Sequence, residues 1–353
     1  MEAVITVLPG DGIGPEVCEA GVKVLNAVAE KHGHSFDCRE HLIGGIAIDE
    51  TGNPFPPETR AAAEGCDAIL LGAVGGPKWS DPNAPVRPEQ GLLEMRAALG
   101  VFANLRPVQI IDALSGASPI RADRLQGVDI IVVRELTGGI YFGEKTRTAD
   151  SASDLCIYHR HEVERIIRAA ARLAEGRSGK LCSVDKANVL ESSRFWRDVT
   201  TTVLDAEFPD LEVEHLLVDA AAMHLINRPA DFDVMVTENM FGDILTDEAS
   251  MLAGSLGLLP SASLGASTRG LYEPIHGSAP DIAGQGIANP CGMIASVALM
   301  LRHSFGLDDE AAEVESAIEA AVTDGIRTVD IAEPGQSSVS TTAMADAIIQ
   351  RLR

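Results

Sequence analysis

Basic side chains are scarce in this 353-residue chain. There are 28 lysine and arginine residues against 52 aspartate and glutamate residues, which gives a formal net charge of −24 at pH 7. Because phosphate groups repel so acidic a protein, we expect it to bind neither nucleic acid nor an anionic membrane surface. Hydrophobic residues still make up 46% of the chain, which excludes a wholly disordered protein.

Long apolar runs and paired cysteines are also absent. No apolar run approaches the roughly 18 residues that a membrane-spanning helix needs. The N-terminus has no basic region before its first apolar segment, so we expect no signal peptide. The six cysteines are scattered without a Cys-x-x-Cys pair, which argues against a zinc ribbon and against a disulfide framework. We therefore expect a cytoplasmic protein with reduced thiols.

Strand-like apolar runs alternate with helical stretches along the chain. Residues 4–8, 68–74 and 130–133 are typical of buried strands, and residues 15–31 carry apolar side chains at helical spacing. This alternation predicts an α/β fold with a mostly parallel sheet. The length predicts about two domains.

A glycine-rich turn, residues 9–16, links the first predicted strand to the first predicted helix. A Rossmann fingerprint would need glycine at position 15 or 17, where the chain has Pro15 and Val17. Asp37 stands at about the distance of a ribose-binding acid, but one acid is not a fingerprint. The segment predicts either a plain strand–helix turn or a loop whose bare backbone approaches a ligand.

Three arginines are candidates for binding a dicarboxylic acid: Arg96, Arg106 and Arg134. The planar guanidinium group holds a carboxylate with two hydrogen bonds. Arg134 ends a predicted strand, and ligands in parallel α/β sheets lie beyond the carboxyl ends of strands. The alternative is three unrelated surface ion pairs.

One face of a predicted helix carries both apolar and charged residues. Counted from Glu89, Leu92, Leu93 and Arg96 follow by three, four and seven positions, so all of them share that face. An arginine beside two leucines could bind a substrate with a carboxylate and a branched apolar group. The alternative is a helix that packs both leucines into the core.

Carboxylates recur at Asp243 and Asp247, four residues apart on a predicted helix, and at Asp219 after an apolar run. Like charges at that spacing disfavour each other, and a divalent cation would reverse the penalty. Oxygen ligands suit Mg²⁺ or Mn²⁺. The alternative is a solvated acidic helix face.

Two residues are candidate proton carriers, Tyr141 and Lys186, although either side chain is often an ordinary hydrogen-bonding group.

Residues 271–284, followed by Asn289, form a predicted loop rich in small residues, which allow close backbone approach to a ligand. Asp281 in that loop could accept hydrogen bonds from a ribose diol and would repel a 2′-phosphate, which favours NAD over NADP.

Taken in order, these segments closely resemble the β-decarboxylating dehydrogenases, the isocitrate/isopropylmalate family, over most of the chain. The matching motifs are NLRP at 104–107, VRE at 133–135, DKAN at 185–188 and GDIL-x-D at 242–247. The segment EQGLL-x-x-R at 89–96 is most similar to members that act on 3-isopropylmalate. Members that act on isocitrate carry serine and asparagine in this segment, and members that use NADP carry lysine and tyrosine at positions 281 and 282.

The resemblance implies a two-domain α/β subunit that is not a Rossmann fold, with the active site in the cleft between the domains. The first domain would comprise residues 1–101 and 254–353 and hold most of the NAD site. The second, residues 102–253, would hold the dimerisation, metal and substrate residues. The resemblance also implies a homodimer in which Lys186 and Asp219 reach into the partner's active site.

The activity that the resemblance implies is NAD-dependent oxidative decarboxylation of (2R,3S)-3-isopropylmalate to 4-methyl-2-oxopentanoate and CO2 in leucine biosynthesis. A decarboxylating tartrate or D-malate dehydrogenase is the alternative. Tyr141 would be the acid, and Lys186 would act through water on the hydroxyl proton. Substrate residues would be Glu89, Leu92, Leu93, Arg96, Arg106, Arg134 and Asp219. Ligands of Mg²⁺ or Mn²⁺ would be Asp219, Asp243 and Asp247. NAD residues would be Ile13, Glu273, His276, Gly277, Ser278, Ala279, Asp281, Ile282 and Asn289.

Overall fold

A computed structural model describes residues 1–81, 84–333 and 335–352 of the protein. Its internal contacts divide the chain into two compact units. The first unit is Met1–Val101 together with Gly254–Arg353, and the second is Phe102–Ala253. Both units contain strands and helices, so the predicted α/β class is confirmed.

A mainly parallel sheet forms the centre of the first unit. Its strands are β1 (Glu2–Gly10), β2 (Ser35–Glu40), β3 (Ala68–Ala73), β11 (Pro260–Leu264) and β12 (Leu271–Pro274). The spatial order is β2-β1-β3-β12-β11. Parallel pairs join β1 to β2, β1 to β3 and β12 to β3, whereas β11 runs antiparallel to β12. This order is not that of the Rossmann fold, in agreement with the failed fingerprint.

Seven helices of the described residues cover this sheet. They are α1 (Gly14–His32), α2 (Gly44–Thr51), α3 (Pro57–Gly65), α4 (Pro88–Leu99), α10 (Cys291–Phe305), α11 (Asp308–Thr323) and α12 (Thr341–Ile349). Helix α10 packs against β11 and β12 and is buried along most of its length. The apolar run at 293–301 is therefore the middle of a core helix. Among the described residues, no helix is long and apolar enough to cross a membrane.

Five mainly parallel strands form the centre of the second unit. They are β4 (Ala103–Gln109), β5 (Asp129–Glu135), β8 (Lys180–Asp185), β9 (Glu212–Leu217) and β10 (Val234–Thr237). The order is β4-β5-β10-β8-β9, with β4 antiparallel to β5 and the other neighbours parallel. Every residue of β10 is buried, as expected for a strand whose two faces are both covered.

The helices of the second unit are α5 (Ala122–Leu125), α6 (Arg160–Glu175), α7 (Glu191–Glu207), α8 (Val218–Asn227) and α9 (Asn239–Ser250). The buried residues of α6, among them Val163, Ile166 and Ala170, recur at helical spacing, so α6 is an amphipathic helix with one face in the core. A short antiparallel hairpin joins β6 (Lys145–Arg147) to β7 (Ala152–Asp154). All of its strand residues are exposed, and their polar sequence carries no strand pattern.

Candidate active site

The glycine-rich turn lies between β1 and α1 in the first unit. Gly12 has a φ of +62°, and a Cβ at this position would lie 2.0 Å from the carbonyl oxygen of Ser278. The backbone N–H of Ile13 donates to the same oxygen at 2.9 Å. The turn therefore packs directly against the segment that resembles an NAD site, and the approach of its backbone to a ligand stays a prediction. Pro15 lies in the first turn of α1, where proline is well tolerated.

The 273–289 segment contains one strained residue and one unpaired imidazole nitrogen. Ala279 has a φ of +37° and is the only non-glycine residue with positive φ in the described chain. His276 Nε2 is buried without a hydrogen-bond partner, and burial lowers the pKa of His276. The Asp281 side chain is exposed. Asn289 has a structural task, because its Oδ1 accepts the backbone N–H of Cys291 at the start of α10.

Helix α4 carries the predicted Glu89–Arg96 face, and the helix is confirmed. Arg96 is buried, and its Nη2 donates to Glu273 Oε1 at 2.8 Å. Leu92 packs in part against the core, Leu93 is half-buried and Glu89 is exposed. One predicted substrate residue is therefore paired with one predicted cofactor residue inside the first unit.

In the second unit, Arg134 ends β5 and lies along the first turn of α9. Its side chain is buried, and its Nη1 donates to Asp243 Oδ1. Its Nε and Nη2 donate to Asn239 Oδ1 at 3.1 and 2.8 Å. The first turn of α9 thus holds the guanidinium group in one orientation.

Arg106, on β4, faces the next turn of α9. Its Nη1 donates to Thr246 Oγ1 at 2.6 Å and lies 3.5 Å from Asp247 Oδ1, and its Nη2 lies 3.8 Å from Asp243 Oδ1. The predicted helical pair of carboxylates is confirmed as a local geometry. Two arginines and two carboxylates therefore meet in the second unit, and Arg106 and Arg134 are not unrelated surface ion pairs.

Tyr141 belongs to the same cluster. It ends a single 3₁₀ turn, Gly139–Tyr141, and its hydroxyl donates to Asp243 Oδ2 at 2.9 Å. The guanidinium carbon of Arg134 lies 5.8 Å from the centre of the tyrosine ring. Partial burial, and then the hydrogen bond to Asp243, raise the pKa of Tyr141 above its usual value. The phenol therefore keeps its proton at neutral pH.

Lys186 follows β8, and Asp219 lies in the first turn of α8, as their motifs predict. Lys186 Nζ donates to Asp219 Oδ1 at 2.5 Å, and this bond holds the pKa of Asp219 below its usual value. Within the described residues of one chain, no three His, Cys, Asp or Glu side chains cluster closely enough to hold a metal ion. Asp219 therefore does not join Asp243 and Asp247 in a ligand set inside a single subunit.

Three buried polar residues near the cluster were not singled out from the sequence. Asn239 binds Arg134, as described above. Glu135 accepts the backbone N–H groups of Thr137 and Gly138 at 3.0 and 2.7 Å, and Glu238 accepts the hydroxyl proton of Ser193. Each stands next to a recognised motif residue or starts a recognised helix, and that position is the only sequence signal for them.

Glu238 gives the second unit a pH-dependent stability. Burial raises the pKa of its carboxyl from 4.5 to about 7, and Asp185 adds to the shift. The folded state therefore binds this proton more tightly than the unfolded state, so the free energy of unfolding falls as pH rises between the two pKa values.

We expect the free energy of unfolding of Glu238→Gln, which keeps the acceptor for Ser193, to rise by about 3 kcal/mol relative to that of the wild type between pH 5 and pH 8. Urea unfolding at both pH values measures this gain. Glu175→Gln, at the exposed end of α6, is the control, and a Glu238→Gln curve parallel to the wild type would contradict the assignment.

The parallel α/β scaffold and the arginine–carboxylate–tyrosine cluster are typical of enzymes that act on small charged molecules. The chain belongs to the isocitrate/isopropylmalate dehydrogenase family, whose model matches residues 4–348. The family resemblance of the motifs is thereby confirmed.

Curated relatives match over the full chain. The 3-isopropylmalate dehydrogenase of Rhodopirellula baltica is 59% identical, covering 100% of this chain and 99% of that protein. That of Bacillus subtilis is 55% identical, covering 99% and 96%. Among solved structures, isocitrate dehydrogenase from Methylococcus capsulatus has a TM-score of 0.88 at 34% identity, covering 99% of both chains. A β-decarboxylating dehydrogenase from Thermococcus kodakarensis has a TM-score of 0.80, also at 34% identity, covering 99% of this chain and 96% of that one.

Proposed function

We propose that the protein catalyses the NAD-dependent oxidative decarboxylation of (2R,3S)-3-isopropylmalate to 4-methyl-2-oxopentanoate and CO2, a step of leucine biosynthesis. The observation that carries this proposal is the full-length likeness, at 54–59% identity, to proteins named 3-isopropylmalate dehydrogenase. All six cysteines are free thiols, which fits a cytoplasmic location.

Arginine binds the two carboxylates of the substrate in this proposal. Arg96, Arg106 and Arg134 are all buried, and a buried guanidinium group binds carboxylate more strongly than an exposed one. Leu92 and Leu93 contact the isopropyl group, and Glu89 lies at the start of the same helix. The partial exposure of both leucines is what a contact with a small apolar group requires.

The donor set on α9 fits a divalent cation, Mg²⁺ or Mn²⁺. Asp243 and Asp247 stand one helical turn apart, where Arg106 and Arg134 offset only part of their mutual repulsion, and the Asp247 side chain is 70% exposed. Asp219 of the partner subunit completes the set. When bound, the cation supplies charge stabilisation to the substrate hydroxyl and its neighbouring carboxylate.

Lys186 and Tyr141 move the two protons. Lys186 of the partner subunit, through water, would take the proton of the substrate hydroxyl, and bound NAD would accept the hydride from C2. After CO2 has left, Tyr141 donates its phenolic proton to the substrate carbon from which the CO2 was lost. Its raised pKa keeps the phenol protonated until that step.

The NAD site is proposed at the turn around Ile13 and at residues 273–289. A Cβ at Gly277 would meet no atom of the described residues within 4 Å, so this glycine leaves the backbone open to a ligand, and His276 keeps an unpaired buried nitrogen. The cofactor contacts are proposed at Ile13, Glu273, His276, Gly277, Ser278, Ala279, Asp281, Ile282 and Asn289. The Asp281 carboxylate selects NAD, because it would face the 2′-phosphate of NADP with a like charge.

A homodimer with shared active sites accounts for an exposed apolar row on α8 and α9. Met223, Ile226, Ile244 and Met251 are large hydrophobic residues at the surface, and clustered exposed apolar side chains mark interaction surfaces. Asp219 lies on α8 and the two metal-binding carboxylates on α9, so pairing these helices across a two-fold axis offers carboxylates from both subunits to one site.

Steady-state NADH formation tests the function. The dimer is offered 3-isopropylmalate, D-malate, tartrate and isocitrate separately, with NAD or NADP and with Mg²⁺ or Mn²⁺. We expect kcat/KM to be highest for 3-isopropylmalate with NAD, by at least about tenfold, and to fall on adding a chelator. A preference for D-malate or tartrate would overturn the substrate and keep the reaction class.

Leu93→Ala sharpens the substrate assignment. Leu93 is half-buried and lies outside the core cluster that Leu92 joins. We expect kcat/KM for 3-isopropylmalate to fall about tenfold. D-malate, which lacks the isopropyl group, serves as the internal control and should be unaffected. Equal losses with both substrates would remove Leu93 from the isopropyl contact.

A further inference from the structure

Asn239 is the first residue of α9 and is 1% exposed. Its side-chain oxygen accepts two hydrogen bonds from Arg134, from Nε at 3.1 Å and Nη2 at 2.8 Å. These two donors lie on one edge of the guanidinium plane. Because Asn239 binds that edge, Nη1 is directed toward Asp243.

The other half of the Asn239 amide binds the chain that leads to Tyr141. Its Nδ2 donates to the carbonyl oxygen of Gly138 at 3.0 Å, immediately before the 3₁₀ turn that ends at Tyr141. The backbone N–H of Asn239 donates to the Tyr158 hydroxyl at 2.9 Å. Tyr158 also packs under the turn, since a Cβ at Gly139 would lie 2.2 Å from its oxygen.

Gly242, on the same helix, leaves room for the side chain of Arg134. A Cβ at Gly242 would lie 2.7 Å from Arg134 Cγ and 2.9 Å from its Cβ. The stem of Arg134 therefore crosses α9 in direct contact with its backbone, with Asn239 on one side of the crossing and Asp243 on the other.

We propose that Asn239 is a positioning residue, which fixes Arg134 and Tyr141 relative to each other. This inference rests on the proposed function, in which Arg134 binds a substrate carboxylate and Tyr141 supplies a proton. A neutral amide suits both bonds, because its oxygen accepts from Arg134 while its nitrogen donates to Gly138 in the same plane. Aspartate at position 239 would have no N–H to donate to Gly138, and it would place a negative charge against the carbonyl oxygen of Gly138.

The test is a double-mutant cycle of Asn239→Asp with Tyr141→Phe, with kcat and KM measured for each variant. Misplacing a catalytic group by about 1 Å can cost about 100-fold, so we expect Asn239→Asp alone to lower kcat about 10- to 100-fold. In the Tyr141→Phe background the further loss of kcat should shrink to about twofold, because no phenol remains to be misplaced, whereas the misplaced Arg134 should raise KM in both backgrounds. Equal losses in both backgrounds would show a merely structural role and overturn the inference.

A readout that needs no turnover separates this inference from the proposed function. Crystal structures of Asn239→Asp and Asn239→Ala should show the Tyr141 hydroxyl displaced from Asp243 and the 3₁₀ turn shifted. If Tyr141 and Arg134 keep their places in both, the inference fails whichever substrate the enzyme uses. Inactivity of the wild type toward every malate tested would instead overturn the proposed function. Asn26→Asp, an exposed position on α1, is the matched control and should keep wild-type kcat.

Discussion

Replacing Tyr141 with phenylalanine is expected to lower kcat by about 10²- to 10⁴-fold, the usual contribution of a positioned general acid. KM for the substrate should change little, because the ring that contacts Arg134 is retained. The hydroxyl that is lost donates to Asp243, and phenylalanine offers no proton in its place.

Pre-steady-state kinetics sharpen this prediction. Hydride transfer precedes the step assigned to Tyr141, so the Tyr141→Phe enzyme should form a rapid burst of enzyme-bound NADH and then turn over slowly. Tyr272→Phe is the matched control: that hydroxyl is buried in the first unit and binds Ser304. It should keep wild-type kinetics at some cost in stability. A Tyr141→Phe enzyme with more than half of the wild-type kcat would show that another group donates the proton.

Mixed dimers of Asp219→Asn and Asp247→Asn are expected to regain activity that neither parent has. Each homodimer lacks one metal ligand in both of its sites and should lose at least about 100-fold in rate at limiting Mn²⁺. The side chains of Asp219 and Asp247 are 63% and 70% exposed, so neither substitution should harm folding.

Subunit exchange between the two parents predicts a definite fraction of wild-type activity. In a mixed dimer, one site collects both substitutions and the other collects none. Random exchange makes half of the dimers mixed, so we expect about a quarter of wild-type activity. Asp243→Asn is less suitable as a parent, because Asp243 also holds Arg134 and Tyr141. Failure to recover activity, with exchange verified by mass spectrometry, would contradict a site shared between the two subunits.

Local features of the second unit could be predicted from the sequence because they depend on spacing within one element. The four-residue separation of Asp243 and Asp247 places both on successive turns of α9. The apolar run before Arg134 predicts a buried strand with arginine at its carboxyl end, as the structure shows. Secondary structure and side-chain direction follow from such patterns alone.

Contacts between distant elements could not be predicted in this way. Tyr141 and Asp243 are 102 residues apart, and their hydrogen bond depends on how the 3₁₀ turn sits on α9. The pairing of Arg96 with Glu273 is likewise a property of the folded first unit. In the sequence, Asn239 is an ordinary first residue of a helix. Its hydrogen bonds to Arg134 on β5 and to Gly138 before the 3₁₀ turn depend on how these elements pack in the folded protein.

The measurement that tests the proposed reaction most directly is the stoichiometry of its products. The wild-type enzyme would be given 3-isopropylmalate, NAD and Mn²⁺, and NADH, CO2 and the 2-oxo acid would be quantified together. We predict one CO2 and one 4-methyl-2-oxopentanoate for each NADH formed. NADH without CO2 would contradict decarboxylation and leave a simple hydroxyacid dehydrogenase, and no NADH from a folded dimer would contradict the proposed activity itself.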